Sequence, residues 1–241
     1  MLIRFVLENV FSFGAQREFN TMPNTRLKTL EHHCYDFDGF PLLKMSAIYG
    51  ANGAGKSNLI KGMFVLQSLV LDGKVPYLFK DNAFKFNTTP QANQLFAVEF
   101  IQGQVPFYYG LSVHQGRIVT EELYRSGLGK RKDELIYERK TDGSGVSSLI
   151  FRAEFEKDEK SQVLKSILLE EFVKPNEPVF KLLARRDNKY LAEVKLAFSW
   201  FSDTLQMINP RSKPIGLAHM MDNEPDFKKY AQDLMSSLNI G

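Results

Sequence analysis

Eight residues constrain this chain more than any others: Gly50-Ala51-Asn52-Gly53-Ala54-Gly55-Lys56-Ser57. They fit G-x-x-x-x-G-K-[ST], the pattern of a loop that cradles phosphate. Each residue type has a physical reason. Gly50, Gly53 and Gly55 let the backbone bend tightly and approach a ligand with no Cβ in the way. Such a turn aims successive N–H groups inward as an anion nest. A helix starting near Lys56 adds the positive end of its dipole. Lys56 is a mobile point charge for the outer phosphates, and the Ser57 hydroxyl is placed to ligate Mg2+. Asn58 follows as a candidate donor to the innermost phosphate. The motif points to a nucleotide's phosphates with Mg2+, and by itself it leaves ATPases, GTPases, kinases and pure nucleotide sensors open.

The pattern is meaningful only between a strand and a helix, and the sequence predicts both. Leu42 to Tyr49 is a short apolar run ending at Gly50 and reads as a buried strand. Lys56 to Leu71 carries apolar residues at helical spacing, and Asp72-Gly73 ends it.

The rest of the chain divides by pattern. Leu2–Leu7 is a first strand, and a second short one lies near Arg17–Phe19. Residues 21–41 are polar and read as a loop excursion. From 95 to 151, strand-length runs alternate with turn residues, which is the pattern of an antiparallel meander; Pro106 belongs at an edge or a strand start. Helical spacing returns at 160–172, 188–205 and 225–238. The expected division is a phosphate-loop core over 1–90, an antiparallel β lobe over 91–156 and a helical region over 157–241.

Composition limits the alternatives. Among 241 residues, 44% are apolar and 24% charged, so the chain is globular rather than disordered. A net charge of +3 is too small to argue for nucleic acid by itself. The basic triplet Lys130-Arg131-Lys132 reads first as a solvated hairpin tip and second as a nucleic-acid contact. One cysteine, Cys34, excludes an internal disulfide framework. With no membrane-length apolar run and no signal-peptide pattern at the start, the expected location is cytoplasmic. His32-His33-Cys34 lacks a second ligand pair at metal spacing and reads as loop residues. Asp36-x-Asp38-Gly39 lacks the distal Glu of a calcium loop. Met220, Met221 and Met235 sit at apolar helical positions and read as core or interface.

Two segments together resemble a known family. Leu7-Glu8-Asn9-Val10-Phe11-Ser12-Phe13 and Ala47-Ile48-Tyr49-Gly50-Ala51-Asn52-Gly53-Ala54-Gly55-Lys56-Ser57-Asn58-Leu59 are similar to the N-terminal half of ABC-type ATPase heads of the RecF, SMC and OLD kind. Within that group the chain resembles bacterial ATP-binding proteins of phage-defence and abortive-infection loci, in which a Trp-Phe pair on a helix, here Trp200-Phe201, also recurs. The resemblance implies an α/β P-loop NTPase fold: an ABC-head-like mixed sheet with an antiparallel β lobe and a helical region. It implies ATP sandwiched between two heads, in a homodimer or higher oligomer, and a separate effector such as a nuclease. It also implies a Walker B run ending in Asp-Glu and a Leu-Ser-x-Gly signature. Neither is found; Leu168-Leu169-Glu170-Glu171 is the nearest, in a helical pattern. The expectation is that residues 1–241 are the N-terminal portion of a longer head.

The family often carries Arg or Lys after the Asn of the first strand, where this chain has Val10-Phe11, so the resemblance leaves adenine stacking to Phe11, Phe13 or the chain near them, with core packing as the other reading of both phenylalanines. Gln206 is the candidate for a Mg2+-sensing glutamine. The alternatives are a RecF- or SMC-like ATPase acting directly on DNA, and an ATP-bound scaffold that does not hydrolyse. A GTPase is disfavoured because no Asn-Lys-x-Asp stretch is present to read guanine. A small-molecule kinase is disfavoured by the long β lobe.

Overall fold

The structure is a computed structural model, and it describes residues 1–24, 26, 29, 31–86, 92–208 and 215–237. Residues 1–205 form one compact unit and residues 206–241 a second.

The first unit is built on a seven-stranded sheet of order β2-β1-β5-β6-β7-β8-β9. Its strands are β1 (Leu2–Glu8), β2 (Arg17–Asn20), β5 (Gln94–Gln102), β6 (Val105–His114), β7 (Arg117–Arg125), β8 (Glu134–Thr141) and β9 (Ser147–Phe151). A separate ribbon pairs β3 (Cys34–Phe37) with β4 (Phe40–Leu43). Two-residue turns with positive φ join β5 to β6 at Gly103-Gln104 and β6 to β7 at Gln115-Gly116, the turn geometry that matches strand twist. The meander expected over 95–151 is thus β5 to β9. Pro106 is the second residue of β6 and pairs with Ile101.

Helix α1 (Lys56–Asp72) buries Met63, Leu66, Leu69 and Val70. At Gly62 the helix approaches β1 closely: a Cβ there would lie 3.0 Å from Leu7 and 3.5 Å from Phe5. Glycine there lets the helix lie on β1. Gln67 anchors the same helix by donating to the carbonyls of Phe201 and Leu205, both at 2.8 Å.

The remaining helices of this unit are α2 (Ala153–Glu156), α3 (Glu159–Ile167), α4 (Phe180–Ala184) and α5 (Ala192–Ser199). Asp158 caps α3 by accepting from the Ser161 N–H at 2.9 Å. Both α3 and α5 end in a wider π-helical turn, Leu168–Phe172 and Trp200–Thr204. Those segments read as plain helix in the sequence. The second turn places Trp200 flat on Phe100, ring centres 4.3 Å apart, with Phe201 edge-on at 5.6 Å. This aromatic cluster, extended by Phe107, Tyr109 and Phe180, is the centre of the core. The second unit contains α6 (Ile215–Asn223) and α7 (Pro225–Ser237). There Met220 and Met221 are half-buried, whereas Met235 is exposed.

Two expectations need correction. Every pairing of the described strands is antiparallel, so the sheet is not mixed. The strand read over Leu42–Tyr49 forms only to Leu43, in the small ribbon. Beyond the bond from the Lys44 N–H to the His33 carbonyl, residues 45–49 make no backbone hydrogen bond with the described residues. Met45 and Tyr49 are 72% and 90% exposed. The physical reason is pairing: an apolar run becomes a strand only where a neighbour accepts its backbone bonds, and no described strand lies alongside.

Candidate nucleotide-binding site

The phosphate loop sits at the N-terminus of α1. Gly55 precedes the helix at φ +93, and Gly53 lies at φ +82; both are left-handed positions that favour glycine. No side chain caps the helix. The bonds that shape the loop are few. The Ala54 N–H donates to the Ala51 carbonyl at 3.2 Å, and the Asn58 and Leu59 N–H groups donate to the Gly55 carbonyl at 2.9 and 3.0 Å. The N–H groups of Asn52, Gly53, Gly55, Lys56 and Ser57 take no acceptor among the described residues. A run of unsatisfied backbone donors at a helix start is a ready anion site.

The Lys56 ammonium donates to the carbonyls of Gly50 and Ala51, both at 2.7 Å. These are neutral acceptors, which a phosphate oxygen outcompetes because charge-assisted bonds are stronger. Ser57 is exposed, as are residues 50–54. Asn58 is partly engaged: its amide donates to Ser12 Oγ at 3.1 Å. The site therefore has the donors for a triphosphate at Asn52–Ser57 and a hydroxyl for Mg2+ at Ser57. Mg2+ is commonly held by few protein ligands together with substrate phosphates and water, so this sparse set fits the ion. Bound there, Mg2+ would neutralise phosphate charge.

The turn between β1 and β2 supports the loop from below. Val10 and Phe13 exchange backbone bonds of 3.0 and 2.9 Å, and Asn9 ties the turn down by donating to the Ala92 carbonyl at 2.7 Å. A Cβ on Gly55 would lie 3.0 Å from Ser12 Oγ and 3.3 Å from the Phe13 ring. The two segments that carried the family resemblance therefore meet. Phe13 is packed under the loop, while Phe11 faces a neighbouring pocket beside residues 81–86. That segment was not singled out in the sequence; the pair Phe84-x-Phe86 near the loop helix was its only signal. Gln206 is exposed at the start of the second unit. Leu168-Leu169-Glu170-Glu171 lies in a π-helical turn rather than at a strand end.

A second polar cluster is buried in the β lobe. The Glu121 carboxylate accepts from the hydroxyls of Tyr109 and Tyr137 at 3.2 and 3.1 Å, and from the N–H groups of Val179 and Phe180 at 2.7 and 2.9 Å. Arg139 lies 3.9 Å away, and both side chains are fully buried. Arg139 donates in turn to the carbonyls of Glu177 and Lys174 at 2.6 and 2.8 Å. Burial raises the Glu121 carboxyl above its ordinary range, against the pull of Arg139 and the two N–H groups. Burial and the Glu121 charge push both tyrosines well above theirs. With every polar atom enclosed and engaged, the cluster clips the segment before α4 onto the sheet.

A glycine-bent loop of free N–H groups, closed by a lysine and opening a helix packed on a sheet, defines a nucleotide-binding protein of the P-loop class. Residues 45–240 match the model of a family described as "AAA domain, putative AbiEii toxin, Type IV TA system", and the chain belongs to that family. AAA domains have the P-loop NTPase fold and in general bind ATP with Mg2+ and act as ATPases. Comparison with curated proteins and with solved structures gives no match. Among the described residues, no helix is long and apolar enough to cross a membrane.

Proposed function

We propose that the chain is the ATP-binding component of a bacterial phage-defence or toxin–antitoxin system, built as a RecF/SMC/OLD-like head. The observation that carries the nucleotide reading is the set of N–H groups at Asn52, Gly53, Gly55, Lys56 and Ser57, which take no acceptor among the described residues. The family description supports the defence context. In this reading the triphosphate lies on residues 50–58, Lys56 neutralises charge developing on the outer phosphate, and Ser57 holds Mg2+. ATP is then enclosed by a second head in trans, and closure gates or assembles a separate effector such as a nuclease, in the cytoplasm.

Direct action on DNA has less behind it. The net charge is only +3, and the basic triplet Lys130-Arg131-Lys132 by itself supplies few phosphate contacts.

Lys56→Ala tests the cradle. ATP and inorganic tripolyphosphate are titrated calorimetrically into the parent and the variant. The variant is expected to lose at least about a hundredfold in affinity for both, roughly 2.7 kcal/mol. Unchanged tripolyphosphate affinity would sink the assignment.

A further inference from the structure

Past the C-terminal end of α1 lies an open pocket of about 700 Å3, lined by Lys74, Pro76, Lys80, Gln115, Gly116 and Asn176 among others. The phosphate loop opens the other end of the same helix. With 17 residues, α1 sets its two ends about 25 Å apart.

Three segments meet at the pocket, and backbone bonds hold them together. The stretch after α1 is tied to the turn at 174–177 by the Val75 N–H, which donates to the Asn176 carbonyl at 2.9 Å. That turn is tied to β7 by the Ile118 N–H, which donates to the Pro175 carbonyl at 2.7 Å. Buried Arg139 grips the turn from beneath, through the carbonyls of Glu177 and Lys174. The third segment is the β6–β7 turn, Gln115-Gly116, at φ +48 and +80. The Glu121–Arg139 cluster thus fixes the turn that brings Asn176 to the pocket. Walls held in this way are preorganised for a ligand.

The chemistry of the wall is one-sided. Lys74 and Lys80 bring two ammonium groups, and no carboxylate lines the pocket among the described residues. Two like charges facing one cavity favour an anion between them. The side chains of Lys74, Gln115 and Asn176 make no hydrogen bond or ion pair with the described residues. Convergent polar groups in a concavity of this size are the usual make-up of a small-molecule site.

We propose that this pocket is a second anion site, which takes a phosphate monoester of about nucleotide size, such as a sugar phosphate. A phosphate monoester carries about −1.5 to −2 charge near neutrality, a match for two ammonium groups, and lysine holds phosphate as a point charge. The carboxamides of Gln115 and Asn176 both donate and accept, which suits the hydroxyls of the organic part. The site is separate from residues 50–58 and does not depend on how they are read.

The test titrates ribose 5-phosphate, ribose and succinate calorimetrically into the full chain and its Lys56→Ala, Lys74→Ala and Lys74→Ala/Lys80→Ala variants. Both pocket lysines are exposed, so their removal leaves the core intact. The parent and Lys56→Ala are expected to bind ribose 5-phosphate alike. Lys74→Ala is expected to lose about tenfold, the order of one charge-assisted hydrogen bond, and the double variant more. Ribose is expected not to bind, and succinate to bind more weakly than the phosphate ester. No binding of ribose 5-phosphate to the parent overturns the site, and so does unchanged affinity in Lys74→Ala. A loss confined to Lys56→Ala would put the ligand on the phosphate loop and overturns it too. Equal affinity for succinate overturns the phosphate class.

Discussion

The phosphate loop and the Glu121–Arg139 cluster sit in one compact unit and treat polar groups in opposite ways. In the cluster, one carboxylate collects four hydrogen bonds and a guanidinium, all buried. At the loop, five neighbouring N–H groups have no acceptor among the described residues, and the residues that carry them are exposed or partly exposed. The cluster is complete by itself, because an unpaired charge at its depth would be intolerable. The loop is left incomplete in water, which satisfies its donors until a better anion arrives. Stability and ligand binding are therefore assigned to different residues, and substitutions should separate them.

The largest effect is expected from Arg139→Ala. It strands the Glu121 carboxylate in the core and should cost about 3–5 kcal/mol in denaturant unfolding. Whatever fraction stays folded should bind ATP as the parent does; reduced affinity with full stability would break the division. Gly55→Ala lies on the boundary between the two regions. It puts a Cβ at φ +93, within 3.0 Å of Ser12 Oγ, and should cost about 1–2 kcal/mol. Here stability and ATP affinity should fall together, whereas Lys56→Ala should lower affinity alone.

The smallest effect concerns Glu193, which accepts from Arg125 Nε at 2.9 Å and pairs with Arg152. Burial alone would raise its carboxyl, but the hydrogen bonds from Arg125 and Arg152 outweigh burial and hold it below the ordinary 4.5. A depressed folded value means this contribution is whole above the unfolded value and is lost as pH falls through the folded one. Glu193→Gln should cost less than about 1 kcal/mol near neutrality. The difference from the parent should shrink as thermal unfolding is followed below about pH 4. A constant difference across that range would mean that packing, not charge, is at work.

The sequence made some of this legible for definite reasons. The loop and α1 were readable because a motif and a 3.6-residue period coincide from Lys56 onward. The strands β5 to β9 were readable because turn residues punctuate them. The β3–β4 ribbon was missed although its signal was present: Asp38-Gly39 joins two short strands with φ +48 and +72, the Asp-Gly hairpin pattern. The run from Leu42 to Tyr49 misled because apolar content reports a preference for burial, not the existence of a pairing neighbour. The π-helical turns share the spacing of ordinary helix over so few residues. Nothing local to Glu121 in its Thr-Glu-Glu-Leu setting marks it as buried, since its partners lie 12 to 59 positions away.

The bare stretch from Met45 to Tyr49 gives the protein a natural reporter. Its amides form no bond with the described residues, so they should exchange hydrogen with solvent far faster than those of β5 or β6. The matched family region begins at Met45 and runs directly into the phosphate loop. Any chain that came to lie along this stretch would announce itself as a sudden slowing of exchange at five consecutive positions, just upstream of the loop that grips phosphate.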